Sequence, residues 1–313
     1  MRQVLIRASH SSRIRGLVET VPPARALVAR YVPGVAAEDA VAACSRLATA
    51  GLLASLDHLG EDTTDLAQAR ATRDAYRQVL RLLADAGLVG PDSPAAAEVS
   101  VKLSAVGQAL GRDGDKIALE HARDICVAAT EVGTTVTLDM EDHTTTDSTL
   151  AVLRELRADF PTVGAVLQAY LRRSEADCRD LATEGSRVRL CKGAYDEPSS
   201  VAFRDRTEVD LSYVRCLKVL MAGPGYPMVA THDPRLVDIA SVLAARSERA
   251  PGSYEFQMLY GVRPDEQVRL AGQGETVRVY LPYGEQWYGY LMRRLAERPA
   301  NLTFFLRSLV SRG

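Results

Sequence analysis

The sequence predicts an α/β protein built as a distorted (β/α)8 TIM-like barrel, with a helical extension before it and one more helix after the eighth strand. Three observations carry that prediction. Short apolar runs occur eight times, segments of helical length and period separate them, and eight parallel strands are the number that closes such a barrel. A doubly wound open sheet would show the same alternation, but no GxGxxG follows the first run.

Residues 1–50 read as an N-terminal helical arm. Leu17, Val18, Leu27, Val28 and Tyr31 recur at helical spacing, Pro33 and Gly34 break the run, and residues 37–47 form a second amphipathic stretch. Residues 51–313 read as the barrel. Its runs fall at residues 52–56, 99–104, 135–140, 163–170, 188–195, 228–232, 254–260 and 277–281. They are largely apolar, as expected of parallel strands buried on both faces. Residues 66–86, 116–132, 147–159, 205–221 and 234–249 have the length and period of helices. A last helix is expected over 285–298, and its polar residues form no single solvent face.

Composition narrows the function classes. The 313 residues are 47% hydrophobic and 25% charged, which excludes a disordered chain, a collagen-like repeat and a disulfide scaffold. Forty acids against 38 bases leave a net charge of −2, so no basic field exists to hold nucleic acid. Lys102, Lys116, Lys192 and Lys218 are the only lysines among those bases. The five cysteines are scattered and never in CxxC spacing, which points to free thiols in a reducing compartment and away from a zinc ribbon. No uninterrupted apolar segment follows Met1, so no signal peptide is expected. No stretch approaches the ~20 apolar residues of a spanning helix, so any membrane contact is expected to be peripheral.

Barrel enzymes build their sites at the C-terminal ends of the strands. Those ends carry Asp57 and Glu61; Lys102; Asp139, Glu141 and His143; Gln168 and Tyr170; Arg189, Lys192 and Tyr195; Thr231 and His232; Gln257 and Tyr260; Tyr280 and Tyr283. A lysine among the apolar residues of VSVKLSA must be paired or neutralised, so Lys102 is either the partner of an anion or a Schiff-base nucleophile with a depressed pKa. Arg189 and Lys192, with Gly193 permitting close backbone approach, suit a phosphate or an electron-rich ring system. Asp139 and Glu141 could serve as a glycosidase pair or join His143 and His232 around a metal, but neither spacing is specific, and carboxylates balancing the nearby cations are the simpler reading. Cys191 reads as a packed small hydrophobe. Arg293 and Arg294 project about 100° apart on the last helix, and both reach one carboxylate only if that helix lies across the barrel mouth. Tyr290 would then line the same pocket.

The ordered set VSVKLSA, TLDMEDH, VLQAYLRRS, VRLCKGAYDEP, ATHDP, YEFQMLYGVR and YLPYGEQWYGYLMRRLAERPANL resembles the proline dehydrogenase family, from about residue 52 to residue 304. The resemblance is to its short, monofunctional bacterial members. It implies non-covalent FAD, oxidation of L-proline to Δ1-pyrroline-5-carboxylate, electron transfer to a membrane quinone, and no metal. A cytoplasmic location follows, with peripheral contact at the inner face of the cell membrane and a functional link to a separate pyrroline-5-carboxylate dehydrogenase. By motif, Lys102, Arg293 and Arg294 would hold the substrate carboxylate, Asp139 would support Lys102, and Arg189 would sit near the reactive flavin nitrogen. Met140, Gln168, Lys192, Gly193, Ala194, Thr231 and His232 would contact FAD. Leu190, Leu259, Tyr280 and Tyr290 would wall the pyrrolidine ring, and Glu61 would form a gate with Arg293. Asp196 stands where the family often has Trp. Two other readings remain at this point, a Schiff-base lyase using Lys102 and a non-catalytic sensor of proline or flavin.

Overall fold

The computed structural model describes residues 28–90 and 96–297. The part of the expected arm that contains Leu17, Val18 and Leu27 lies outside them. Residues 28–31 are helical, followed by α1 (Ala37–Thr49), β1 (Leu53–His58), α2 (Leu66–Asp85), β2 (Ala97–Val101), α3 (Gly114–Glu131), β3 (Val136–Leu138) and α4 (Thr146–Asp159). Then come β4 (Ala165–Gln168), α5 (Ser174–Leu181), β5 (Arg187–Cys191), α6 (Arg206–Ala222), β6 (Tyr226–Ala230), α7 (Pro234–Arg246), β7 (Glu255–Leu259), α8 (Pro264–Gly272), β8 (Val277–Tyr283) and α9 (Trp287–Glu297).

All eight strands pair in parallel, in the order β3-β2-β1-β8-β7-β6-β5-β4. The two ends of that sheet meet through a single parallel bridge between Thr137 and Gly164, where Leu138 N–H donates to the Gly164 carbonyl at 2.9 Å. A Cβ on Gly164 would lie 2.5 Å from Thr137 Oγ1, so glycine lets these strands close the barrel. The closure is shorter than the other pairings and accounts for the distortion.

One expectation about the strands is corrected. They are not apolar on both faces, because their inward positions are polar. In β2, Ala97, Val99 and Val101 join the hydrophobic shell, while Glu98 and Ser100 bond across the barrel to Arg187 and Arg189 of β5. The same period of two places Arg278 and Tyr280 inward from β8. Four buried or nearly buried cations (Lys102, Arg187, Arg189, Arg278) thereby meet four buried carboxylates (Asp57, Glu98, Asp139, Glu255). A charged interior of this kind is tolerated only because each group is paired.

The helices start where their caps sit. Asp65, Asp205 and Asp233 accept hydrogen bonds from the first amides of α2, α6 and α7, and Pro234 occupies the first turn of α7. α7 ends at Arg246, short of the expected 249, because Glu248 turns left-handed. Arg249 then folds back to donate to the carbonyls of Leu220 and Met221 in the last turn of α6 and of Gly223 and Gly225 just beyond it. The helix α1 packs against β1, β8 and α2, burying Ala40, Ala43 and Cys44. It covers the outer faces of β8 and β1, which frees α9 to cross the mouth. No helix among the described residues is long and apolar enough to cross a membrane.

Candidate active site

Inward alternation along β1, β2, β3, β5 and β8 brings the expected lysine, aspartate and arginine to one point. Lys102, one residue beyond β2, lies 2.6 Å from Asp57 Oδ2 and 3.7 Å from Asp139 Oδ2, and donates to Tyr280 Oη at 3.3 Å. Burial opposes its charge, but Asp57 and Asp139 more than offset that and raise its pKa above the ordinary lysine value. Lys102 is therefore a fixed ammonium, and the depressed-pKa nucleophile is overturned. Asp57, in the sequence one acid among those at the strand ends, is the tightest partner of this lysine.

Asp139 accepts from Tyr280 Oη and from Arg189 Nη1, both at 2.7 Å, and from Ser100 Oγ at 2.8 Å. Burial favours its neutral acid, but Arg189 and then Lys102 hold the carboxyl below the usual range. Arg189 is buried and also donates to Gln257 Oε1, Ser100 Oγ and Ser55 Oγ, with its guanidinium 5.3 Å from the centre of the Tyr280 ring. These partners lock it in one orientation. Burial pushes the Cys191 thiol up to about 11, which keeps it unreactive.

The helix α9 follows β8 and buries Tyr290, Leu291 and Met292. Arg293 forms a two-pronged pair with Glu61 at 2.7 and 3.2 Å, and Arg294 lies 5.0 Å from the Tyr290 ring centre. Through Glu61 the Arg293 guanidinium faces the loop that follows β1 at the barrel mouth. Tyr280 faces inward onto Asp139 and Lys102, and Leu259 shares the inward register of Gln257 on β7. Leu190 does not, and its expected role as a wall is corrected. Arg189 points inward, so the next residue along the strand points outward, where Leu190 is fully buried in the hydrophobic shell.

From β5 to β7 the rim is more open. Lys192, Gly193 and His232 are half-buried there and Ala194 is exposed. Lys192 pairs with Asp210 at 2.6 Å and Asp233 at 3.3 Å. Thr231 Oγ1 accepts from the Asp233 amide, and His232 Nε2 accepts from the Leu259 amide at 2.9 Å. Gln168 donates to the Glu141 carbonyl at 2.6 Å, and Met140 is buried between Asp139 and Glu141. Gly193 has a φ of 113°, and a Cβ there would strike the Tyr170 ring at 2.2 Å. The close approach its sequence suggested is thus made to Tyr170. Asp196 is exposed and pairs with Arg204. His143 bonds to buried Glu197, and no cluster among the described residues is arranged to hold a metal ion. The open arc carries a buried guanidinium, a side-chain amide, a lysine and a threonine hydroxyl, polar groups whose chemistry suits a planar, electron-rich ring with a phosphate tail.

Glu141 is buried at the end of β3, and burial pushes its carboxyl up to about 7 against the hydrogen bonds from Ser104. Between its ordinary value of 4.5 and about 7, the folded chain keeps a proton that the unfolded chain has released. Stability is therefore expected to fall as pH rises through that window, by about 3 kcal/mol in all. Glu141→Gln should abolish this slope in urea unfolding measured at about pH 5 and about pH 8. An identical fall in both proteins refutes the assignment.

With this geometry in place, comparison with known proteins is decisive. The family model described as proline dehydrogenase matches residues 40–307. The chain belongs to the proline dehydrogenase family. It is 36% identical over 283 residues to proline dehydrogenase 1 of Bacillus subtilis (strain 168), covering 90% of each chain. It is 40% identical over 286 residues to proline dehydrogenase of Deinococcus radiodurans, covering 91% of this chain and 90% of that one. Among solved structures, it is similar to proline utilization A from Bdellovibrio bacteriovorus inactivated by N-propargylglycine. The TM-score is 0.80 at 25% identity, over 93% of this chain and 34% of that one. A variant of proline utilization A from Bradyrhizobium japonicum gives a TM-score of 0.73 at 26% identity, over 92% and 32%. The chain thus spans about a third of the length of those two proteins.

Proposed function

We propose that the chain oxidises L-proline to Δ1-pyrroline-5-carboxylate, using non-covalent FAD and passing electrons to a membrane quinone. Family membership makes it an oxidoreductase of proline catabolism, and the finer statements rest on its own residues. The observation that carries them is the buried ammonium of Lys102, held by Asp57 and Asp139 next to the loop whose Glu61 pairs with Arg293 of α9, with Arg294 the next residue on that helix. Three cations above a barrel lumen suit one small carboxylate.

The substrate carboxylate would lie among Lys102, Arg293 and Arg294, with Leu259, Tyr280 and Tyr290 enclosing the ring. Arg189 would bring positive charge to the reactive edge of the flavin. Met140, Gln168, Lys192, Gly193, Ala194, Thr231 and His232 would hold the rest of the cofactor. When bound, FAD would supply the acceptor for the hydride that leaves proline C5, at its N5. The protein's own task is then to orient the ring, exclude water and place charge. Asp139 remains ionised and is occupied by Arg189 and Tyr280, so it fixes those groups and takes no proton. The proton on the substrate nitrogen goes to solvent before the mouth closes. The product would pass to a separate pyrroline-5-carboxylate dehydrogenase. The five unbridged cysteines support a cytoplasmic site of action, with peripheral contact at the inner membrane face for quinone exchange.

Proline-dependent reduction of an artificial electron-accepting dye tests the reading, since a lyase or a sensor would reduce none. Arg294→Ala is expected to raise KM for proline by the equivalent of about 1.5–3 kcal/mol through loss of a charge-assisted contact. An unchanged KM in that variant removes Arg294 from the carboxylate site.

A further inference from the structure

The loop between β1 and α2 carries Glu61 over the mouth, and its shape needs an explanation. Asp62, the next residue, has a φ of 52°, a left-handed conformation that non-glycine residues adopt only when their surroundings impose it. The Glu61–Arg293 pair, with side chains 25% and 37% accessible, is partly open to solvent and so a weaker restraint on the backbone than buried hydrogen bonds. A buried chain of hydrogen bonds is the stronger candidate. The Asp62 amide donates to Ser104 Oγ at 3.0 Å, and the Thr63 amide donates to the Ser104 carbonyl at 3.1 Å. Ser104 Oγ in turn donates to Glu141 Oε2 at 2.5 Å, and its amide donates to Glu141 Oε1 at 3.0 Å. Ser104, Thr63 and Glu141 are all buried.

We propose that Ser104, clamped by Glu141, is the positioning residue that sets Glu61 against Arg293 and so governs closure of the mouth over the substrate. The inference rests on the reading of Glu61 and Arg293 as a gate. Three links are needed and each is present. Both oxygens of Glu141 grip the backbone and side chain of one residue. That residue grips two successive amides of the loop. The first of those amides belongs to the neighbour of Glu61, so the loop backbone is fixed before its exposed carboxylate meets the guanidinium. Hydrogen bonds arranged in series also strengthen one another in a dry setting.

Steady-state kinetics of the flavin-loaded enzyme with proline test this. Ser104→Ala is expected to raise KM about tenfold while kcat stays within about twofold, and Ser104→Thr, which keeps the hydroxyl, is expected to restore KM. In a Glu61→Ala background, which itself raises KM, adding Ser104→Ala should change KM by less than about twofold, because the two act through one contact. Effects that multiply independently would mean a structural role only and would overturn the proposal. So would an unchanged KM in Ser104→Ala when Glu61→Ala raises it, and in that case the gate itself survives. An unchanged KM in Glu61→Ala ends both the gate and the proposal. Glu141→Gln loosens the same clamp from its other end and should raise KM in the same direction. It keeps the test decisive if Ser104→Ala does not fold.

Discussion

Glu98→Ala is expected to destabilise the fold by about 3–5 kcal/mol, the cost of breaking a buried ion pair from one side. Glu98 is 1% exposed and meets Arg187 Nη2 at 2.5 Å, with Arg189 at 3.5 Å and Arg278 at 4.0 Å. It also accepts from Ser55 and Thr137 at 3.0 and 3.1 Å. Burial alone would favour its neutral acid, but the three guanidiniums outweigh that and hold the carboxyl down to about 2. Alanine would leave these arginines facing a low-dielectric lumen with one carboxylate fewer and two hydroxyls without their acceptor. Because the folded pKa is depressed, the contribution is fully present above 4.5 and is lost as pH falls toward about 2. Urea unfolding near neutral pH measures the effect, with Glu98→Gln as the comparison that keeps an acceptor but no charge. A loss below about 1 kcal/mol for alanine would mean that Glu98 does not pair with the three arginines.

How much of this was legible beforehand follows from what a strand sequence encodes. The alternation of runs and helices gave the barrel, because each apolar face requires a covering layer and eight parallel strands close on themselves. The strand-end rule gathered Lys102, Asp139, Arg189 and Tyr280 at one mouth with no partner known. Three features need more than the strand ends. Asp57 and Lys102 lie 45 residues apart, and only the β1–β2 register brings them within 2.6 Å of each other. The motif points to Leu190 as a wall of the pocket, but period-two alternation from Arg189 turns it outward. Glu98, Arg187, Glu255 and Arg278 sit below the strand ends, where a search of the termini does not look. Their alternation with valines and other apolar residues, as in Ala97 to Lys102, was the available clue. The helix α9 was legible for a different reason: its two adjacent arginines make sense together only across an opening.

Lys102→Met should lower kcat/KM for proline by about a thousandfold, equivalent to roughly 4 kcal/mol. Two effects add in this variant. Methionine fills the space of the lysine stem but removes a charge-assisted contact to the substrate carboxylate, worth about 1.5–3 kcal/mol. It also leaves Asp57 without the ammonium 2.6 Å away, while Asp139 keeps Arg189. An uncompensated carboxylate beneath the opening repels an incoming one, so the loss exceeds that of a single contact. The pair Lys102→Met with Asp57→Asn separates the two effects. Removing both charges should recover most of any lost stability and the repulsive share of the activity, yet leave KM well above that of the parent. Full recovery of KM in the double variant would show that Lys102 serves only to neutralise Asp57, and a kcat/KM within about tenfold of the parent in Lys102→Met would remove it from the substrate site.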